Sequence, residues 1–283
     1  MPADLGIVDT MIGFPAEDFS EYDFIRAQLR EASADFDYPV EYMFKNVPKE
    51  LYGAGDPISI TLHEMDRFGI EVGVIGVGGD VGREALKRHP DRFVGQGFVD
   101  PNQGMDGIRE MIRMHEELGV GSFTAFNAGY NPQVGIDDAL MYPIYAKCVE
   151  LDAPIFVCAG VPGPRFPMWP QEVSRIDRVM YDFPELVFVT RHGCEPWEEL
   201  AVKLMLKWPN LYYSTSAFAP KHYPRAIVDY ANTRGADKII YAGYFPMGLS
   251  LERIMADMPD VPFRDDVWPK FLRDNARRVL KLG

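Results

Sequence analysis

The sequence predicts an α/β fold, a (β/α)8 (TIM) barrel built as one domain over residues 1–283. Three observations carry that prediction. Eight short apolar runs rich in Val, Ile, Phe and Tyr recur along the chain, bounded by Gly, Pro, Asp or Asn. Helical patterns, apolar at three- and four-residue spacing, lie between them. The 283 residues suffice for eight such units, and parallel strands need crossover connections of this kind. No GxGxxG or Walker sequence opens any helix, so an open nucleotide-binding sheet loses its main support.

The strands are read in order as Leu5–Thr10, Val72–Val77, Phe93–Val99, Val120–Phe126, Pro154–Cys158, Leu186–Arg191, Leu211–Ser216 and Lys238–Ala242. Helical spacing is clearest over Ile108–Leu118, Met141–Leu151, Trp197–Trp208 and Ala226–Thr233. One connection differs from the rest. Residues 11–57 separate the first strand from its helix and carry Phe14, Phe19, Tyr22, Phe24, Phe36, Tyr38, Tyr42 and Phe44. A long loop at a strand's C-terminal end reads as a lid over the active-site face, although an oligomer contact would use the same residues. The tail, residues 267–282, reads as a closing helix with Arg277, Arg278 and Lys281 favourably placed near its C-terminus.

Composition narrows the partners. Hydrophobic residues at 47% and charged residues at 25% are globular-enzyme proportions. Lys and Arg number 29 against 42 Asp and Glu, a net charge of −13. Such a surface repels nucleic acid and anionic membranes and leaves a small-molecule substrate as the expected partner. No apolar run approaches the roughly 18 residues needed to span a bilayer. The N-terminus has neither a basic n-region nor an apolar h-region. Cys148, Cys158 and Cys194 form no CxxC pair, and an odd count suits a reducing compartment. A cytoplasmic protein is expected.

The ordered landmarks resemble the amidohydrolase-related family, in the branch that contains aminocarboxymuconate-semialdehyde decarboxylase, benzoate decarboxylases and some lactone hydrolases. They are Ile7-Val8-Asp9, Pro154 to Gly160, Arg191-His192-Gly193, Asn210 to Ser216, Ile239 to Pro246 and Asn275-Ala276-Arg277-Arg278. The resemblance implies a homo-oligomer and a metal held by four residues. Here the sequence departs from the family. Its Asp-x-His-x-His reads Asp9-Thr10-Met11-Ile12-Gly13, its strand-five His is Cys158, and its strand-eight Asp is Tyr244. Gly offers no ligand, a thioether suits soft copper, and a neutral phenol is a poor zinc ligand. One thiolate, from Cys158, does not make a site. No metal and no cofactor are expected.

His192 occupies the position of the family's catalytic histidine and could titrate near neutral pH. His63, His89 and His115 fall on helices and His222 in the loop after strand seven, where solvation or packing explains them. Cys158 reads either as a thiolate nucleophile paired with His192 or as a small buried hydrophobe. Asp9 shares a strand face with Met11 and should point into the barrel, to pair with Arg191 or His192 or to act as an acid or base. Tyr244 reads as a hydrogen-bond donor to substrate or as filler for the space a metal would take. Arg191 reads as an anchor for a substrate carboxylate or as a salt-bridge partner of Asp9 or Glu195. Met11, Phe14, Trp169, Glu195 and Phe245 complete the expected substrate-binding set, with a mostly apolar wall.

Three functions are therefore carried forward. The first is metal-independent hydrolysis of an ester-, lactone- or thioester-like carbonyl in a small organic acid, with His192 activating water. The second is decarboxylation of an aromatic or enoic acid. The third is a non-catalytic binding or scaffold protein.

Overall fold

The computed structural model describes residues 1–2, 5–30, 40–44 and 47–283. Eight parallel strands follow one another around a single sheet: β1 (Ile7–Asp9), β2 (Ile70–Gly76), β3 (Phe93–Phe98), β4 (Ser122–Ala125), β5 (Ile155–Cys158), β6 (Phe188–Arg191), β7 (Leu211–Ser214) and β8 (Ile239–Ile240). Each predicted run contains or overlaps one of them. The helices are α1 (Asp23–Arg26), α2 (Pro57–Arg67), α3 (Asp80–Arg88), α4 (Gly104–Leu118), α5 (Tyr142–Glu150), α6 (Ile176–Asp182), α7 (Glu198–Lys207), α8 (Arg225–Ala231), α9 (Leu251–Asp257) and α10 (Asn275–Leu280).

Local chemistry sets several helix ends. Asp56 accepts a hydrogen bond from Ser59 N at 3.2 Å, and Pro57 follows it at the first helical position of α2. Ser250 caps α9 through Arg253 N at 3.2 Å. Gly119, in the left-handed conformation, stops α4. Among the described residues, no helix is long and apolar enough to cross a membrane.

The barrel separates two apolar layers. Val8, Val74, Phe156, Val189 and Ile240 fill its interior and meet Ala276, Val279 and Leu280 of α10. Residues on the other strand faces, such as Ile75, Phe123, Ile155 and Phe188, pack against the helix ring. The tail is thus a plug as well as a closing helix. Arg278 donates to Asp237 O, and Lys281 to Asp152 O at 2.7 Å, both just before strands begin. A π-helical turn over Lys270–Asp274 precedes α10. Its Phe271 O accepts Tyr241 N at 3.0 Å, and the Asn275 amide donates to Ile239 O at 2.8 Å.

Seven parallel ladders join β1 through β8. The eighth side closes beyond the strand ends, where Tyr244 N donates to Met11 O at 3.0 Å and Gly13 N to Phe245 O at 2.7 Å. This places the chain following β1 directly beside the chain following β8, at the C-terminal mouth.

Candidate functional site

A cavity of about 1160 Å³ opens at the C-terminal ends of the strands, the face where such barrels carry their chemistry. Met11, Cys158, Arg191, His192, Glu195 and Tyr244 of the expected set line it. The insertion after β1 contributes Tyr22, Phe24, Ile25, Val40, Met43 and Phe44 to the same wall. It is held there by Gln28, whose amide donates to Gly129 O at 2.7 Å, and by Tyr42, whose hydroxyl donates to Gly163 O at 2.5 Å. Phe36 and Tyr38 lie outside the described residues.

Arg191 ends β6 and turns into the barrel. Its Nη1 donates to Thr124 Oγ1 at 2.8 Å, and its Nη2 to Gln96 Oε1 at 2.6 Å and Thr10 O at 3.1 Å. The guanidinium also sits 5.1 Å from the Phe156 ring centre. It therefore reaches from β6 across to β1, β3 and β4. All three acceptors are uncharged, and Nε has no partner among the described residues. Burial lowers its pKa to about 10, against the pull of Cys158, Tyr244 and Asp9, so it stays charged at neutral pH. Of its two readings, the salt bridge to Asp9 or Glu195 is not formed. A buried charge normally has an ionic partner; among the described residues this one has none and borders a cavity instead.

His192 follows with φ +63°. Ser216 Oγ accepts its backbone N at 3.1 Å and lies 3.2 Å from its Nδ1. The serine hydroxyl has no other acceptor among the described residues, so we assign its hydrogen to Nδ1 and the imidazole hydrogen to Nε2. Burial, and then Arg191, lower the pKa of His192 to about 3. His192 is thus neutral and an N–H donor, where titration near neutral pH was expected. Tyr244 crosses it edge-on, ring centres 5.3 Å apart.

Of the two readings of Cys158, the structure favours the buried thiol over a pair with His192. In register it stands beside Arg191, and the hydrogen bond of His192 Nδ1 goes to Ser216. Burial pushes the thiol up to about 12 although Arg191 pulls the other way, so no thiolate forms at neutral pH.

Asp9 does not reach the cavity. Its Oδ1 accepts Met11 N at 2.9 Å, an Asx turn that ends the strand alternation, and Gly243 N at 2.8 Å across the β1–β8 seam. Its register partner Gly73 faces Met65 of α2 and Phe93, behind the wall. Met11 lines the cavity because the turn resets the parity. Asp9 Oδ2 and Tyr241 Oη are both buried without a partner among the described residues. Burial raises the Asp9 pKa to about 7, against both backbone hydrogen bonds and Arg191.

Three expected wall residues lie elsewhere. Phe14 packs edge-on against Phe93 at 5.5 Å, in the layer outside the barrel. Phe245 is fully buried in the core, bridged to Ile12, because the left-handed turn at Tyr244 sends it behind the strand. Trp169 is on the surface, bonded to Gln133 Oε1 at 3.0 Å and covered by Arg175. The apolar wall comes instead from Phe44, Phe126, Phe218, Met247 and Leu249. His222, read as solvated or packed, lines the cavity with Lys221. Gln96 and Thr124, which hold Arg191, were visible in the sequence only as polar residues within apolar strands.

Strain collects at this mouth. His192, Ala217 and Tyr244 follow β6, β7 and β8 with φ of +63°, +70° and +70°. Non-glycine residues there cost on the order of 1–3 kcal/mol each.

The chain belongs to the amidohydrolase family, whose sequence pattern matches residues 78–282. Among the curated proteins, none matches it. Solved structures share its fold. An uncharacterized TIM-barrel protein from Bordetella bronchiseptica is 24% identical with a TM-score of 0.74, over 98% of this chain and 99% of that one. A 5-carboxyvanillate decarboxylase from Novosphingobium aromaticivorans, complexed with manganese and 4-hydroxy-3-methoxy-5-nitrobenzoic acid, is 18% identical with a TM-score of 0.70, over 99% and 97%. A 2,6-dihydroxybenzoate decarboxylase from Rhizobium is 17% identical with a TM-score of 0.65, over 98% and 99%.

The residues of this mouth do not fit a divalent metal. Met11, Gly13, Cys158 and Tyr244 stand at the liganding positions implied by the family resemblance, and Cys158 and Tyr244 lie close enough to the Arg191 guanidinium, which repels a second cation, to act on it electrostatically. Among the described residues, no three His, Cys, Asp or Glu side chains gather to hold one.

Proposed function

We propose that this chain is a carboxy-lyase for an organic acid whose carboxyl-bearing carbon is conjugated to an oxygen, as in an aromatic or enoic acid. The observation that carries this reading is the buried Arg191 guanidinium, which borders the cavity and has no ionic partner among the described residues, beside the neutral N–H donor of His192. Loss of carbon dioxide leaves an electron pair on the substrate. That pair needs an oxygen on which to rest, and a fixed cation with a neutral imidazole donor stabilises such an oxyanion. The carboxyl-bearing carbon first takes a proton, from Tyr244 beside His192 or from water, and the conjugated hydroxyl loses its own proton to water and becomes a ketone-like C=O. The C–C bond to the carboxyl group then breaks, carbon dioxide leaves, and the electron pair moves to that oxygen, held by Arg191 and His192, restoring the aromatic or enol form.

Hydrolysis fits the site less well, because it needs a base to activate water. His192 presents a hydrogen where a base would present a lone pair, and the Cys158 thiol holds its proton. The similarity in fold to decarboxylases agrees with the lyase reading.

The test is a panel of hydroxybenzoates and enoic acids labelled with 13C at the carboxyl carbon, followed in deuterated water. Labelled bicarbonate, with one deuteron at the vacated carbon, is the expected outcome. Release of acid from the methyl esters or lactones of the same compounds, with 18O taken up from labelled water and no bicarbonate formed, would establish hydrolysis instead. Saturable binding without turnover of any probe would assign the fold to ligand binding.

A further inference from the structure

Arg191, His192, Cys158 and Tyr244 line the cavity at the ends of β5, β6 and β8. Most of the remaining lining is aromatic and aliphatic and includes the insertion, with Asp100, Glu195, Lys221 and Arg253 among it. Four large apolar side chains that line this cavity also face solvent: Phe24 at 52%, Met43 at 55%, Phe98 at 44% and Val161 at 51% exposure. They come from the insertion, β3 and the loop after β5, so they ring the opening. Contiguous exposed apolar surface of this kind marks a binding surface. The volume, about 1160 Å³, exceeds the roughly 300–1,000 Å³ of pockets that enclose drug-sized ligands. A single-ring acid held at Arg191 would leave most of it filled with water against apolar walls.

We infer that the substrate is an amphiphilic acid whose anionic or oxygen-bearing head sits on Arg191 and whose apolar body, longer than one aromatic ring, runs up to Phe24, Met43, Phe98 and Val161. This rests on the proposed reading that Arg191 holds an anionic oxygen of the substrate's acid head, and adds the length and polarity of the remainder. Both signs of charge in the lining, Asp100 and Glu195 against Lys221 and Arg253, disfavour a second ionised group on the ligand. The exposed ring of the opening is the part of the site that selects for length.

The experiment is calorimetric titration of the full chain with benzoate, 4-butylbenzoate and 4-hexylbenzoate, for the wild type, Arg191→Gln and a Phe24→Ser/Met43→Ser double variant. Each methylene that enters the apolar wall tightens binding by up to about fourfold. 4-Hexylbenzoate is therefore expected to bind at least 100-fold more tightly than benzoate. Arg191→Gln should weaken all three acids together. The double variant should cut the hexyl-to-benzoate ratio by tenfold or more, and Val161→Ser, on a separate loop, should cut it independently of how the double variant folds. Equal binding of the three acids, weakened by Arg191→Gln, would overturn the inference and leave the acid reading standing. No binding of any of them at millimolar concentration would overturn both. A double variant that changes the sedimentation of the unliganded protein but not the ratio would assign the ring to an interface between copies of this chain, and would also overturn the inference.

Discussion

Two buried ionisable groups stand on opposite sides of the barrel wall. Arg191 and Asp9 are each within 5% of complete burial, and each feels the other electrostatically without forming an ion pair. Arg191 is held by uncharged oxygens from three strands and faces open space. Asp9 is held by two backbone N–H groups and faces the seam between β1 and β8. The same kind of burial thus yields a group offered to a ligand in one place and a strut in the other. What separates them is whether a cavity lies in front.

The largest expected effect tests the first half of that contrast. Arg191→Gln keeps a polar side chain but removes the fixed charge, and turnover should fall by about 10²–10³. Arg191→Lys should not restore it, because an ammonium cannot reproduce the planar fork that reaches Thr124 and Gln96 together. Steady-state rates on the acid identified by bicarbonate release provide the check. His192→Asn retains a residue that tolerates the left-handed backbone but loses the imidazole. A fall of about 10- to 100-fold in kcat with a smaller change in KM is expected. A rise in KM alone would make His192 a binding group.

The second half of the contrast is tested by stability. Asp9 holds its proton more tightly folded than unfolded, 7 against 3.8. Its contribution is most favourable below about pH 4, is lost as the pH rises towards 7, and is constant above that. Asp9→Asn keeps the Oδ1 acceptor and removes the charge. Its melting temperature relative to the wild type should therefore climb between pH 4 and 7 and then level off, by about 3–8 °C in total. His192 acts in the opposite direction. Its folded pKa of about 3 lies below the ordinary 6.5, so the stability it lends is lost as the pH falls from 6.5 towards 3. A relative melting curve for Asp9→Asn that is flat with pH would place the Asp9 carboxylate in contact with water.

The smallest effects concern residues that resemble site residues by type alone. Cys158→Ser should change kcat by less than about threefold, since the thiol is protonated and no base touches it. Trp169→Ala should leave KM within about twofold, since Trp169 contacts Gln133 and Arg175 on the surface.

The barrel was legible because every strand is a short apolar run between Gly, Pro or Asp, and because the helical patterns lie between those runs. The orientation of particular side chains was not. Strict alternation put Asp9 and Met11 on one face, but the Asx turn at Asp9 reverses the parity between them. The left-handed residue at 244 does the same for Phe245. Alternation is a property of extended backbone, and these positions leave it. Arg191 was legible as a cation at the mouth. That neither Asp9 nor Glu195 pairs with it depends on where they turn, which adjacency along the chain does not specify. His192 was legible by position, but its tautomer is set by Ser216, 24 residues away on another strand end.

The left-handed residues after β6, β7 and β8 have a consequence for anyone who randomises this mouth. Glycine, asparagine and aspartate are the residues that accept such backbone most readily. A library over positions 192, 217 and 244 screened for heat resistance should converge on them. The same library screened for turnover should return histidine at 192 and tyrosine at 244, and be indifferent at 217. Ala217→Gly is then the one substitution that both screens accept, and the disagreement at the other two positions measures what the fold gives up to keep its chemistry in place.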